Sequence, residues 1–314
     1  MHAGPPPQPA LALLQPALAE SVVTYRLHRL PGARAKALSY SGAGYRGAMF
    51  PWESAFTGVE TCPSWAPTGL KEVHISADIA VSVWQYWQST RDIHSGWLRE
   101  VGFPLLAAIA DFWVSRLAAD SPGAVIAGYN DGSVGSPVLP TTTQSEDAGT
   151  CALHITGIIP PTEYYHNVAD SVYTNAAVAA ALTRAVAAAA ELGITPAVSP
   201  AVASWANAST RVYIPFREGD ASRAPGWPAN IAAAPNGGLH PYFSGYKFGS
   251  DKVQLLDVAM LGWPLGALDT STMSNATSAA RRAVGLDRDT YLNDLAYYAE
   301  NQVRHCMRCH VGAQ

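Results

Sequence analysis

Residues 45–63 read YRGAMFPWESAFTGVETCP. This stretch sets Tyr45, Phe50, Trp52 and Phe56 beside two carboxylates, Glu53 and Glu60, with Gly47 and Gly58 among them and Gly44 just before. Aromatic rings next to carboxylates form a surface that stacks on a sugar face and hydrogen-bonds its hydroxyls. The glycines point to tight turns or close backbone approach. On residue types alone a second reading stands beside the first: a core segment with ordinary surface acids.

Working outward, the pattern is helical. Glu72 to Thr90 repeats Ile75, Ile79, Val83 and Tyr86 at helical spacing, and Trp97 to Ala118 carries the stripe Leu98, Val101, Leu105, Ile109, Phe112 and Leu117. Ala-rich Asn175 to Leu192 is a third helix, headed by Thr174 as its N-cap and closed by Gly193. Leu11 to Leu30 reads as a helix interrupted near Pro16, and shorter helices are expected over Leu255 to Leu261, Thr277 to Ala283 and Asp289 to Val303. The stretch Asp120 to Thr150 is rich in Gly, Ser, Thr and Pro and reads as a loop insertion at about 120–150; Ala221 to His240 is another loop. The expected class is all-α, one domain over residues 11–303, with a flexible segment at 1–10 and a divergent tail at 304–314.

Composition narrows the function classes. The 314 residues are 48% hydrophobic and 14% charged, with a formal net charge of −4 and no long basic run. A large core is expected, and no nucleic-acid partner. No apolar run is read as a membrane span, so no membrane partner is expected either. The opening MHAGPPPQPALALLQPALAE lacks a basic leader and is broken by prolines, so no secretory signal is read there; the compartment stays open, with the cytoplasm slightly favoured. Cys62, Cys151, Cys306 and Cys309 are too few and scattered for a disulfide framework. The tail CMRCH, Cys306 to His310, matches a haem-attachment pattern but is read as chance. His74 and Asp78, four apart, read as a structural hydrogen bond, and no cofactor or metal is called for.

Five blocks in order resemble the catalytic domain of glycoside hydrolase family 65. They are GAMFPWES (Gly47 to Ser54), KEVHISADIA (Lys71 to Ala80), IPPTEYYHN (Ile159 to Asn167), SVYTN (Ser171 to Asn175) and VQLLDVAMLGWPLG (Val253 to Gly266). The family's forms are GARFPWES, EVH, PDEYH, YTN and KQADVVLLGYP. The resemblance implies an (α/α)6 barrel, a toroid of paired helices, here partial and with long loops. It implies a carbohydrate substrate and cleavage of an α-glucosidic bond, in a disaccharide or a glucosyl-galactosyl-hydroxylysine unit, with inversion. An inverting glycosidase pairs a protonated carboxyl with a carboxylate that activates water. By resemblance Glu163 is the general acid, and Trp52, Glu53, Tyr164 and Gln254 line the sugar site.

The chain also departs from the family pattern. Thr162 replaces an Asp and Tyr165 a His, the neighbours expected to orient the acid, while Gln254-Leu255 replaces Lys-Gln. The family's general base is expected beyond the C-terminal end of this chain, and a glucose-binding aspartate block before its start, so the chain reads as an incomplete member. Two other readings stay open: a family phosphorylase releasing glucose 1-phosphate, and a catalytically silent carbohydrate-binding fragment.

Overall fold

The computed structural model describes residues 12, 14–91, 96–121, 123–129, 152–263, 265–266 and 284–311, the last nine and residue 41 by backbone alone. The expected helix at Thr277 to Ala283, the 1–10 segment, most of the 120–150 insertion and the side chains of the CMRCH tail lie outside the described residues. Among the described residues every regular element is helical, and pairing is limited to isolated bridges such as Ser54 with Glu60 and Ile158 with Val168. The all-α expectation therefore stands. The chain forms two compact units, one of residues 1–155 and 177–213, the other of residues 156–176 and 214–314.

The first unit opens with α1 (Pro16–His28) and α2 (Leu30–Ser39). The helix expected to end at Leu30 is followed at once by another. Pro31 lies in the first turn of α2, where its missing N–H costs nothing, so proline starts a helix here instead of merely stopping one. After the short α3 (Thr68–Lys71) comes α4 (Ile75–Thr90), buried along Ile75, Ile79, Val83 and Tyr86 as its spacing predicts. A π-helical turn, Leu98–Gly102, leads into α5 (Phe103–Asp120). Pro104 sits in the first turn of α5 and cannot donate back to the preceding turn, which accounts for the widened ladder ahead of it.

The alanine helix α6 runs Val172–Glu191, and its first five residues count with the second unit. Its N-cap is Ser171, not Thr174: the Ser171 hydroxyl accepts from the Thr174 amide at 3.3 Å. Gly193 ends it as expected, at φ 76°, with Gly193 N–H on Ala190 O and Ile194 N–H on Ala189 O. The sequence reading missed α7 (Pro200–Ser209), although Ser199 as N-cap ahead of Pro200 was its signal. Trp205 of α7 donates its indole N–H to Asp111 of α5 at 2.9 Å.

In the second unit, α8 covers only Ala259–Gly262 of the helix expected from Leu255 to Leu261, and α9 runs Arg288–Val311. Residues 252–257 stay non-helical because their polar groups bond elsewhere. The Leu255 carbonyl accepts from the Tyr242 hydroxyl, and both Asp257 oxygens accept from Thr162. Asn293 of α9 accepts from the Ala234 amide and donates to the carbonyls of Gly237 and Gly238, fixing the 234–240 loop on that helix. Two stretches, Leu98–Asp120 and Val172–Glu191, are long and apolar enough to cross a membrane, which the sequence reading had not recognised. Each has 67% of its most apolar window buried within the protein, as core helices do.

Candidate active site

The GAMFPWES block is bolted to the first unit by its backbone. Gly47, at φ 72°, passes so close to α5 that a Cβ there would lie 2.2 Å from Ala108 O and 2.3 Å from Phe112 N. Ala48 N–H then bonds Ala108 O at 2.8 Å, Met49 N–H bonds Ala33 O of α2, and Phe50 N–H bonds the Ser76 hydroxyl of α4. Ala48, Met49 and Phe50 are fully buried. The two acids of the block differ in what they do. Glu60 accepts from the amides of Trp52 (2.8 Å), Glu53 (2.9 Å) and Cys62 (3.3 Å), and pairs with Lys36 at 2.7 Å. Its oxygens are spent on bracing the turn, which the sequence reading had grouped with a sugar-facing surface. Glu53 is half-buried.

Trp52 is buried, and its indole meets the His74 ring edge-on at 5.1 Å between centroids. His74 Nδ1 lies 2.9 Å from Asp78 Oδ2, and its Nε2 lies 3.8 Å from Glu72; all three side chains are buried. Burial alone would lower the imidazole pKa. The charge of Asp78 and its hydrogen bond, joined by Glu72, outweigh that and push it up to about 10. His74 is thus an imidazolium between two carboxylates beneath Trp52. No group of three or more metal-ligating side chains is arranged to hold a metal among the described residues.

Glu163 and Tyr164 belong to the second unit, on a loop closed at its neck. Ile158 and Val168 exchange both backbone hydrogen bonds, at 3.2 and 3.0 Å. Asn167 and Asp170 turn the chain back at φ 58° and 53°, a conformation Asn and Asp tolerate better than other side chains. The buried Asp170 carboxylate accepts from Asn175 in the first turn of α6 and from the Ser244 hydroxyl. Glu163 is half-buried and Tyr164 is 53% exposed.

The two residues that depart from the family pattern anchor this loop. Thr162, fully buried, donates its amide N–H to Asp257 Oδ2 at 3.1 Å and its hydroxyl to Asp257 Oδ1 at 2.9 Å. The Tyr165 hydroxyl accepts from the Lys252 amide and donates to the Lys252 carbonyl at 3.2 Å, while its ring packs on Phe243. The Lys252 ammonium sits 5.1 Å from the centre of the Tyr164 ring. Gln254 lies between these anchor points; its carbonyl accepts from Gln302, and its side-chain oxygen is buried without a hydrogen-bond partner among the described residues. Burial, reinforced by the negative charge of Asp257, raises the Tyr242 phenol pKa and keeps it a donor to Leu255 O. Asp257 was missed in the sequence. Its signal was a lone acid inside the apolar run LLDVAML, since a buried carboxylate needs donors.

Glu163, Tyr164 and Gln254 thus share one loop-and-anchor arrangement in the second unit, while Trp52 and Glu53 stand on the braced block of the first. The sequence matches the Glycosyl hydrolase family 65 central catalytic domain over residues 8–127 and 142–222. It is 34% identical over 291 residues to a protein-glucosylgalactosylhydroxylysine glucosidase of Dictyostelium discoideum, covering 92% of this chain and 31% of that protein. It is 47% identical over 115 residues to a kojibiose hydrolase of Flavobacterium johnsoniae, covering 37% of this chain and 16% of that one. It is 33% identical over 172 residues to a kojibiose phosphorylase of Halothermothrix orenii, covering 51% and 18%. The chain therefore spans less than a third of the length of these curated relatives. With that match and its five blocks in order, the chain belongs to glycosyl hydrolase family 65.

Proposed function

We propose that this chain supplies the general acid of an inverting α-glucosidase acting on a disaccharide such as kojibiose or on a glucosyl-galactosyl-hydroxylysine unit. Its helices form part of an (α/α)6 toroid. Glu163 protonates the glycosidic oxygen as the bond to the anomeric carbon breaks. Water enters from the opposite face and gives its proton to a second carboxylate, which is assigned to no residue of this chain; the two carboxyls stand roughly 6.5–9.5 Å apart in such enzymes. Trp52 and Glu53 hold the glucosyl ring, Tyr164 offers an exposed ring face, and Gln254 accepts from a sugar hydroxyl.

The observation that carries this reading is the anchoring of Glu163: a half-buried carboxyl on a loop tied at its neck and on both flanks. The buried side-chain oxygen of Gln254, without a hydrogen-bond partner among the described residues, adds to it, because leaving such an atom unsatisfied costs about 1–3 kcal/mol that a sugar hydroxyl recovers. The glucosidase and kojibiose hydrolase relatives supply the substrate class. The test is release of glucose from kojibiose and from glucosyl-galactosyl-hydroxylysine by the full-length gene product. Glu163→Gln should lower kcat by about 10²–10⁴-fold, the range of general acid catalysis; undiminished turnover would remove Glu163 from the role.

A second reading is favoured by the likeness to a kojibiose phosphorylase and by the Lys252 cation beside Tyr164. There phosphate replaces water and base, and the product is glucose 1-phosphate. Product formation that requires added phosphate decides for it. Binding of disaccharide in calorimetry without turnover under either condition would leave the silent, carbohydrate-binding reading.

A further inference from the structure

We propose that Asp257 is a positioning residue for the acid: by holding Thr162 at two points it sets where Glu163 presents its carboxyl. The proposal rests on the glycosidase reading for its catalytic consequence, and on geometry alone for the brace.

Thr162 immediately precedes Glu163, and both of its donors reach Asp257, one on each carboxylate oxygen, at 3.1 and 2.9 Å, with the Leu255 carbonyl a longer second acceptor of the hydroxyl at 3.5 Å. Both residues are fully buried. Charge-assisted bonds of this kind are stronger than neutral ones, and in a dry site no water competes for the donors. Two bonds to one residue fix its backbone in translation and in rotation. On the other side of Glu163, Tyr165 is held by both backbone groups of Lys252. Glu163 and Tyr164 therefore lie between two residues that are each fixed on one segment, residues 252–257. A general acid must meet the leaving oxygen within hydrogen-bond reach, and a misplacement of about 1 Å costs up to 10²-fold in rate. Asp257 touches neither the acid's carboxyl nor substrate in this scheme; it acts through Thr162.

The experiment uses three variants of the full-length protein, each checked for folding by circular dichroism. Thr162→Val removes the hydroxyl arm and keeps shape and amide. Thr162→Ser keeps both arms. Asp257→Asn keeps one acceptor and replaces the other oxygen by an amide NH2 group, which donates and cannot accept. With a disaccharide substrate, Thr162→Val and Asp257→Asn should lower kcat about tenfold or more while KM moves less than threefold, and Thr162→Ser should stay within threefold of the parent. With α-glucosyl fluoride, whose leaving group needs little protonation, all three should match the parent within threefold. Hydrogen exchange over residues 159–167 should rise in Thr162→Val and Asp257→Asn and nowhere else. Equal losses on both substrates, a loss carried by KM, or unchanged exchange in the loop would overturn the positioning role. If the parent turns over neither substrate, the glycosidase reading fails, and the exchange measurement still decides whether the brace exists.

Discussion

Gly47→Ala should be among the most destabilising single substitutions in the first unit. Two terms add. The residue sits at φ 72°, where a side chain costs about 1–2 kcal/mol. The new Cβ would also lie 2.2 Å from Ala108 O and 2.3 Å from Phe112 N, both backbone atoms of α5 that cannot swing aside. Relieving that overlap means moving the block off the helix. The move stretches the 2.8 Å bond from Ala48 N–H to Ala108 O, worth about 1 kcal/mol, and loosens the packing of Met49 and Phe50, for about 1–3 kcal/mol more. The total is about 4 kcal/mol, which at the usual scaling for a unit of this size lowers Tm by roughly 10 °C. Gly193→Ala provides the control. It has nearly the same backbone angle, φ 76°, but nothing lies within 4 Å of its Cβ position, so only the conformational cost of about 1–2 kcal/mol remains. Urea unfolding of both variants against the parent separates the terms. If Gly47→Ala costs no more than Gly193→Ala, close approach to α5 is not what holds the block, and the account of its rigidity is wrong.

The His74 cluster makes stability depend on pH. Its folded pKa of about 10 lies above the unfolded value of 6.5, so its contribution is complete below pH 6.5 and is lost as pH rises through about 10. The unfolding free energy should fall by a few kcal/mol between pH 6.5 and 10, and His74→Gln should flatten that slope; parallel profiles for parent and variant would show that His74 is not charged in the fold. Glu60→Ala leaves the amides of Trp52, Glu53 and Cys62 without their acceptor. Because the Glu60 side chain is about one-fifth exposed, water replaces part of the loss, and a cost of about 1–3 kcal/mol is expected in urea unfolding, with a change under 0.5 kcal/mol ruling out the brace.

Much of the helical framework was legible because its signal is local. The stripes of α4 and α5 and the alanine run closed by Gly193 need only spacing and propensity. The failures came where a local cue has two meanings. The helix expected to end at Leu30 is followed by one with Pro31 in its first turn, and residues 255–258 look helical yet surrender the polar groups of Leu255 and Asp257 to Tyr242 and Thr162. The loop that carries Glu163 could be found from its motif, but Thr162 and Tyr165 looked like losses there. Their function depends on partners far along the chain, Asp257 and Lys252, which no nearby residue betrays. Glu60 was misgrouped for the same reason: whether an acid faces a ligand or three amides is decided by a turn's path, not by composition.

The clasp between Thr162 and Asp257 also bears on the order of events in folding, since its partners are separated by 95 residues. On a ribosome adding about 5–20 residues per second, many seconds separate the emergence of Thr162 from that of Asp257. Contacts so distant in sequence bear a loop-closure cost before they give anything back, and they form late. The nascent chain therefore carries Glu163 on an unfastened loop until residue 257 has been made and folded in.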